Sequence, residues 1–266
     1  MRLSFWWQYW FGGESMRIGT TSYIYPADIE TNVMSLAGKV RDVELLLFEC
    51  DEDGRELPDH RTVEFLIQTG RRHEMTYTVH LPLDLALAGD SPSLDRAALA
   101  VAKTLSLAPV GFIAHLDGAK GECLSRSRWV DNSLRSLDFL SEKAGSAQAI
   151  CVENLDDQPL EFVESILSSA PVSCCFDVGH VWKCGLDPLP WLERWRDRIE
   201  VVHLHGIGTR DHQSLSLVPA AQLDAVTGYL VSHFDGVATI EVFSERDLMD
   251  SLAAIEASIG RISGRR

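Results

Sequence analysis

The stretch Ser173-Cys174-Cys175-Phe176-Asp177-Val178-Gly179-His180 decides how the rest of the chain is read. It starts apolar and ends by presenting Asp177 and His180 three residues apart. A buried parallel strand that turns sharply at Gly179 would deliver both side chains to its C-terminal mouth. Five more apolar runs end in the same residue types: Tyr77-Thr-Val-His80, Phe112-Ile-Ala-His115, Ile150-Cys-Val-Glu153, Val201-Val-His203-Leu-His205 and Ala238-Thr-Ile-Glu241. Carboxylate and imidazole are costly to bury without partners. Their recurrence at corresponding strand ends asks for a shared cation.

Working outward, apolar runs alternate with helical patterns along the whole chain. Strands are expected near residues 17–24, 43–49, 77–81, 110–115, 149–153, 172–177, 199–204 and 237–242. Helices are expected over 26–37, 59–72, 91–105, 129–143, 160–168, 188–195, 219–233 and 247–259. Pro26 is placed to open the first of these, as proline does in a first helical turn. In the second, Val63, Leu66 and Ile67 fall at helical spacing. Continuous apolar strands suit a parallel sheet covered on both faces. Eight such units in this length predict a single-domain α/β fold, the (β/α)8 TIM barrel. A doubly wound open sheet would carry a Gly-rich phosphate turn after its first strand, and Gly19-Thr-Thr-Ser22 is not one.

Composition narrows the partners. The 266 residues carry 24 basic and 39 acidic side chains, a formal net charge of −15. So acidic a chain repels a nucleic-acid backbone unless a local basic patch intervenes, and the only basic cluster is the tail Arg261…Arg265-Arg266. No nucleic-acid partner is expected. The six cysteines form no C-x-x-C pair. They read as free buried thiols in a reducing compartment, which places the protein in the cytoplasm. Residues 1–15 are rich in Trp and Phe but lack a signal-peptide cleavage site and are too short to span a bilayer. They read as a disordered extension, with Met16 the functional start and residues 16–266 the barrel domain. No other stretch is long and apolar enough for a transmembrane segment.

In a barrel of this class functional groups gather at the C-terminal strand ends. Those ends offer Ser22 and Tyr23, Glu49, His80, His115, Glu153, Asp177 with His180, His203 with His205, then the loop Arg210-Asp211-His212, and Glu241. His203 and His205 are two apart and so share one face of their strand. The nitrogen and oxygen donors suit Zn²⁺, Mn²⁺, Fe²⁺ or Co²⁺ better than Mg²⁺ or Ca²⁺. There are more donors than one tetrahedral ion needs, so two or three ions are expected, with Glu153 and Glu241 as bridges. Each residue also has a plainer reading. A lone strand histidine is commonly a hydrogen-bonded core residue, and His205 could support a ligand without being one. Glu44 and Glu200 come early in their strands and read as structural, Glu49 could belong to the acidic loop after it, and Cys174 and Cys175 read as packing.

At these residues the chain resembles the AP endonuclease superfamily of barrels, which also contains the xylose-isomerase-like isomerases and epimerases. The resemblance runs from about Arg17 to Ile259. It implies a trinuclear zinc site held by His80, His115, Glu153, Asp177, His180, His203, His212 and Glu241. The superfamily's Asp-x-His pair is altered here: Arg210 stands where the Asp belongs, and the acid is one place later at Asp211. Within the superfamily, Gly19-Thr-Thr-Ser-Tyr-Ile24, Pro26-Ala-Asp-Ile29, the run from Leu36 to Glu49 and Tyr77-Thr-Val-His-Leu-Pro-Leu-Asp84 resemble the cobamide-remodelling phosphodiesterases. That likeness implies hydrolysis of the nucleotide-loop phosphodiester of a cobamide such as adenosylcobalamin. Glu153 and Glu241 would then position the ions and Arg210 would contact the phosphate. The competing reading is a one-metal sugar isomerase or epimerase using Glu153, Asp177, His203 and Glu241. A non-catalytic corrinoid-binding module is the third. His80 and His115 discriminate: if both bind metal the site is multinuclear and hydrolytic, and if both point at solvent or at hydroxyl-binding positions the epimerase is favoured.

Overall fold

Strands buried on both faces can close on themselves when helices cover the outside, and this chain does so. The computed structural model describes residues 16–51, 53–89, 93–116 and 125–264. The strands β1 (Arg17–Thr21), β2 (Asp42–Leu46), β3 (Thr76–His80), β4 (Phe112–Ala114), β5 (Ile150–Glu153), β6 (Ser173–Asp177), β7 (Ile199–Leu204) and β8 (Val237–Ile240) pair in chain order. All pairs are parallel, and β1 against β8 completes a closed barrel. Between and after the strands run α1 (Ile29–Leu36), α2 (His60–His73), α3 (Leu94–Thr104), α4 (Arg126–Ala144), α5 (Leu160–Ser169), α6 (Val178–Lys183), α7 (Leu189–Trp195), α8 (Ala220–His233) and α9 (Glu245–Ile262). None is long and apolar enough to cross a membrane. The expectations for residues 1–15, for Cys123 and for the terminal Arg265-Arg266 lie outside the described residues.

Side chains on a strand alternate between faces, and that alternation sorts the barrel. Val43, Leu45, Tyr77, Val79, Ile150, Val152, Cys174, Phe176, Val202, Leu204, Ala238 and Ile240 belong to the large core shared with the helices. Their neighbours of opposite parity point inward. Ile113, Cys151, Cys175 and Val201 form a small separate apolar plug inside the barrel. Two residues further along the same strands stand His115, Glu153, Asp177 and His203. The apolar layer thus forms the floor under a polar mouth.

Several local expectations differ from the structure. Pro26 does not open α1; Asp28 caps it, its carboxylate accepting from the Thr31 amide at 2.7 Å. β2 stops at Leu46, so Glu49 lies exposed beyond it and joins no cluster at the mouth. β6 does not turn at Gly179 but runs directly into α6, with Asp177 as the N-cap. Of the cysteines described, Cys50, Cys151, Cys174 and Cys175 are buried free thiols, whereas Cys184 is exposed.

One buried acid sits at the opposite end of the barrel interior. Asp42 accepts hydrogen bonds from Thr76 Oγ1 (2.6 Å) and Thr78 Oγ1 (2.9 Å). Burial nevertheless raises its carboxyl to about 6, the two threonines only partly offsetting it. The folded state therefore holds a proton that the unfolded chain releases near 3.8. The protonated form stabilises the fold below pH 4, and that contribution, about 3 kcal/mol, is lost as pH rises towards 6. Asp42→Asn should flatten this part of the stability profile in urea titrations between pH 4 and 7. A slope equal to that of the unaltered chain would refute the assignment.

Candidate metal centre

β3, β4 and β5 end side by side, and their terminal residues meet. His80 Nε2 lies 3.2 Å from His115 Nε2 and 3.3 Å from Glu153 Oε2, and His115 Nε2 lies 3.0 Å from the same carboxylate oxygen. The far side of the His80 ring is fixed, since its Nδ1–H donates to the Leu81 carbonyl at 2.9 Å. In the neutral ring that leaves Nε2 as the lone-pair nitrogen facing the cluster.

The second group comes from β5 to β8. Glu153, Asp177, His203 and Glu241 each offer one donor atom, and these lie within 4.8 Å of one another. His203 Nδ1 is 3.1 Å from Glu241 Oε2, 3.7 Å from Glu153 Oε1 and 3.8 Å from Asp177 Oδ2. Glu153 belongs to both groups, one oxygen facing each. A third group consists of Asp177, His180, His205 and His212. His180 is delivered by the first turn of α6. Its backbone amide donates to Asp177 Oδ1 at 2.7 Å, and its Nδ1–H donates to the Asn154 carbonyl at 2.9 Å. His212 comes from the loop after β7 in a left-handed backbone conformation (φ +52°), unusual for a residue with a side chain. Its Nε2 stands 3.3 Å from Glu241 Oε2.

The donor sets pass a physical test for a cation. Asp177 Oδ2, His203 Nδ1, His205 Nε2 and Glu241 Oε2 are buried, face these groups, and have no hydrogen-bond partner of good geometry among the described residues. Buried polar atoms are seldom left so. The charge balance points the same way. Burial pulls the His80 imidazole down, yet the Glu153 carboxylate, with Glu44 and Glu241, outweighs it and raises the group to about 9. His180 is likewise depressed by burial and raised to about 9 by Asp177 and Glu153. Burial acts to raise Glu153 and Glu241, but the surrounding imidazoles, His115 and His203 foremost for Glu153 and His203 for Glu241, hold both well below the usual carboxylate range. A mouth crowded with buried carboxylates demands positive charge, and the donors are the nitrogen and oxygen types that could hold divalent metal. Cys175 also lies near Glu153 and His203. Burial pushes its thiol far up, so it stays protonated and apolar.

The mouth contains residues that strand ends could not identify. Glu44 reads as structural because it comes early in its expected strand, yet it is wholly buried and its Oε2 accepts from His203 Nε2 at 2.9 Å. It thereby turns Nδ1 of His203 towards the carboxylates. An acid inside the run Val43-Glu44-Leu45-Leu46 was the available signal. Asn154 ties β5 to β6: its Nδ2 donates to the Asp177 carbonyl (2.9 Å) and its Oδ1 accepts from the Asp177 amide (2.8 Å). Ser22 is not a mouth donor, since its Oγ accepts from the Leu46 amide. Tyr23 is exposed and packs edge-on against Phe48, ring centroids 4.9 Å apart. Arg210 joins none of the three groups. Its side chain is 56% exposed and its guanidinium lies 3.6 Å from Asp247. Beside His180 a cleft of about 350 Å³ runs between the loop after β5 and α6–α7, lined by Asn154, Asp156, Glu161, Cys184 and Trp191 among others.

Fold and side chains together define a (β/α)8 barrel carrying clustered imidazoles and acids, able to hold divalent metal, at its C-terminal mouth. Solved structures share the architecture. A D-tagatose 3-epimerase-like protein superposes with a TM-score of 0.75 over 94% of this chain and 99% of its own, at 19% identity. Endonuclease IV from Thermus thermophilus gives 0.68 over 92% and 99%, at 16% identity. The 3-keto-D-glucoside 4-epimerase from E. coli gives 0.61 over 91% and 100%, at 15% identity. No protein-family model matches the sequence, and no curated protein matches it. At such identities the likeness establishes the barrel and nothing finer.

Proposed function

We propose that this chain is a divalent-metal-dependent phosphodiesterase that hydrolyses the nucleotide-loop phosphodiester of a cobamide such as adenosylcobalamin. The observation that carries the hydrolytic reading is the meeting of His80 Nε2 and His115 Nε2 on Glu153 Oε2, at 3.0 to 3.3 Å. A one-metal isomerase would use Glu153, Asp177, His203 and Glu241 and would have no use for a second imidazole pair on the far oxygen of Glu153. The proposed ligands are His80, His115, Glu153, Asp177, His180, His203, His212 and Glu241. Zinc is the favoured ion, with manganese the alternative. Ions held there supply Lewis acidity to the phosphoryl oxygens in transfer to water.

The chain's own residues set that chemistry up. Glu153 and Glu241 place fixed negative charge where two donor sets share a boundary. Glu44, Leu81 and Asn154 hold the rings of His203, His80 and His180, so little reorganisation remains when substrate arrives. Arg210 stands at the rim, and its planar guanidinium matches two phosphate oxygens. Tyr23, Phe48 and Leu83 give exposed apolar area after β1, β2 and β3, which suits a large, partly apolar substrate. The cobamide itself rests on the resemblance of the segments around Gly19, Leu36 and Tyr77. A net charge of −15 favours a small molecule over a nucleic acid.

The test is incubation of zinc- or manganese-loaded protein with adenosylcobalamin, followed by chromatography and mass spectrometry of the products. Cleavage at the nucleotide loop is expected, and an intact loop after prolonged incubation refutes the proposal. The four-residue set Glu153, Asp177, His203 and Glu241 favours the epimerase as the second reading, so the same preparation should be assayed on ketohexoses.

Glu44→Gln offers a milder probe. Loss of the orienting carboxylate should weaken metal binding by about 10- to 100-fold. Competition with a chromophoric chelator measures it, and unchanged affinity would mean that Glu44 serves only the core.

A further inference from the structure

The group Asp177, His180, His205 and His212 contains one histidine that the proposed ligand set leaves out. We infer that His205 is itself a metal ligand, completing a site of three histidines and one aspartate for a further divalent ion, with Asp211 orienting its ring. This rests on the metal-dependent reading above.

Four observations carry it. First, His205 is wholly buried and its Nε2 has no hydrogen-bond partner among the described residues, standing 3.3 Å from Asp177 Oδ1 without hydrogen-bond alignment. Leaving an imidazole nitrogen in that state costs its full desolvation unless something else occupies its lone pair. Second, the other ring nitrogen is served: His205 Nδ1–H donates to the Gly206 carbonyl at 3.3 Å and also faces Asp211 Oδ1 at 3.3 Å, while Lys183 holds the second oxygen of Asp211. A carbonyl and a carboxylate behind one nitrogen, and among the described residues no hydrogen-bond partner for the other, is the arrangement found behind metal-bound histidines. Third, the backbone has been cleared for this ring. A Cβ on Gly179 would sit 2.2 Å from His205 Nε2, so no other residue type fits there while the imidazole stays. Fourth, the partners converge. The rings of His205 and His212 stack at 4.3 Å, and His180 stands edge-on to both at 5.5 and 5.9 Å.

The displaced loop acid acquires a physical reason. Residue 210, where a ligand carboxylate would be expected, is an arginine turned to Asp247. Asp211, one place later, lies behind His205 instead of beside the ion. The donor taken from the loop is replaced by an imidazole from the end of β7. The resulting nitrogen-rich set suits Zn²⁺ or Co²⁺ better than Mg²⁺ or Mn²⁺.

Full-length protein, stripped and reconstituted with Zn²⁺, should retain three ions per chain by elemental analysis. His205→Asn should retain two. Asp211→Asn should retain the third ion with affinity about 10- to 100-fold weaker in chelator competition. Three ions in His205→Asn overturn the inference, as does a wild-type chain with two ions and unchanged binding in His205→Asn. In that second case His80→Ala would still lose an ion, so the wider metal reading survives while this one fails. A wild-type chain that binds no ion ends both. If His205→Asn does not fold, the partly exposed Asp211→Asn decides: unchanged affinity for the third ion overturns the inference.

Discussion

Glu153→Gln should lower phosphodiesterase turnover by at least about a thousandfold and strip more than one ion from the chain at once. The reason is the position of its two oxygens. Oε2 meets His80 and His115, and Oε1 faces His180 and His203 at 3.7 Å each. An amide of the same shape keeps the packing but removes the negative charge on which both donor sets depend. Several kcal/mol of charge stabilisation in the transition state disappear with the ions, and each 1.36 kcal/mol is tenfold in rate. Turnover on adenosylcobalamin, measured with elemental analysis of the same sample, separates the two effects. Activity within tenfold of wild type, with full metal content, would remove Glu153 from the centre of the site.

Gly179→Ala is expected to have the second-largest effect, although it adds a single methyl group. The Cβ position lies 2.2 to 2.5 Å from three atoms of the His205 ring. The ring is wholly buried and stacked on His212, and Gly179 itself is held in α6 directly behind the Asp177 cap. Overpacking of such a site costs about 1–3 kcal/mol, a fall in melting temperature of about 2–12 °C for a chain of this size. The greater consequence is that the imidazole must leave its place, taking with it the donor facing Asp177. Loss of one zinc equivalent together with the fall in melting temperature is the expected pair of results. An unchanged melting temperature and unchanged zinc content would show that the His205 ring is free to move aside.

Much of the architecture was readable because two periodicities coincide. A barrel strand needs apolar side chains towards the helices, and at alternate positions of the same strand the interior can be polar only near the open end. Runs such as Ile150-Cys151-Val152-Glu153 encode that in four residues: two outward, one in the plug, one at the mouth. For the same reason His80, His115, Asp177, His203 and Glu241 could be placed at one end without knowing any contact. What remained unreadable depends on three-dimensional neighbours. Glu44 lies 159 positions from the His203 it orients; an acid inside an apolar run signals burial, but not which partner it serves. Gly179 looked like a turn because glycine commonly marks one. Its role is to yield space to an imidazole from the next strand. Glu49 stands as a strand-end candidate only because the apolar run continues past Leu46 while the sheet pairing does not; its exposed position agrees with the acidic-loop reading.

The convergence of His80 and His115 with Glu153 on an ion of their own is the claim on which the hydrolase proposal stands. Crystals of the zinc-loaded protein, measured at the zinc absorption edge, test it directly. Separate anomalous peaks are expected, one among His80, His115 and Glu153 and another among Glu153, Asp177, His203 and Glu241. A single peak at the second position, with the His80 and His115 rings bound to no ion, would contradict it and return the site to a one-metal isomerase.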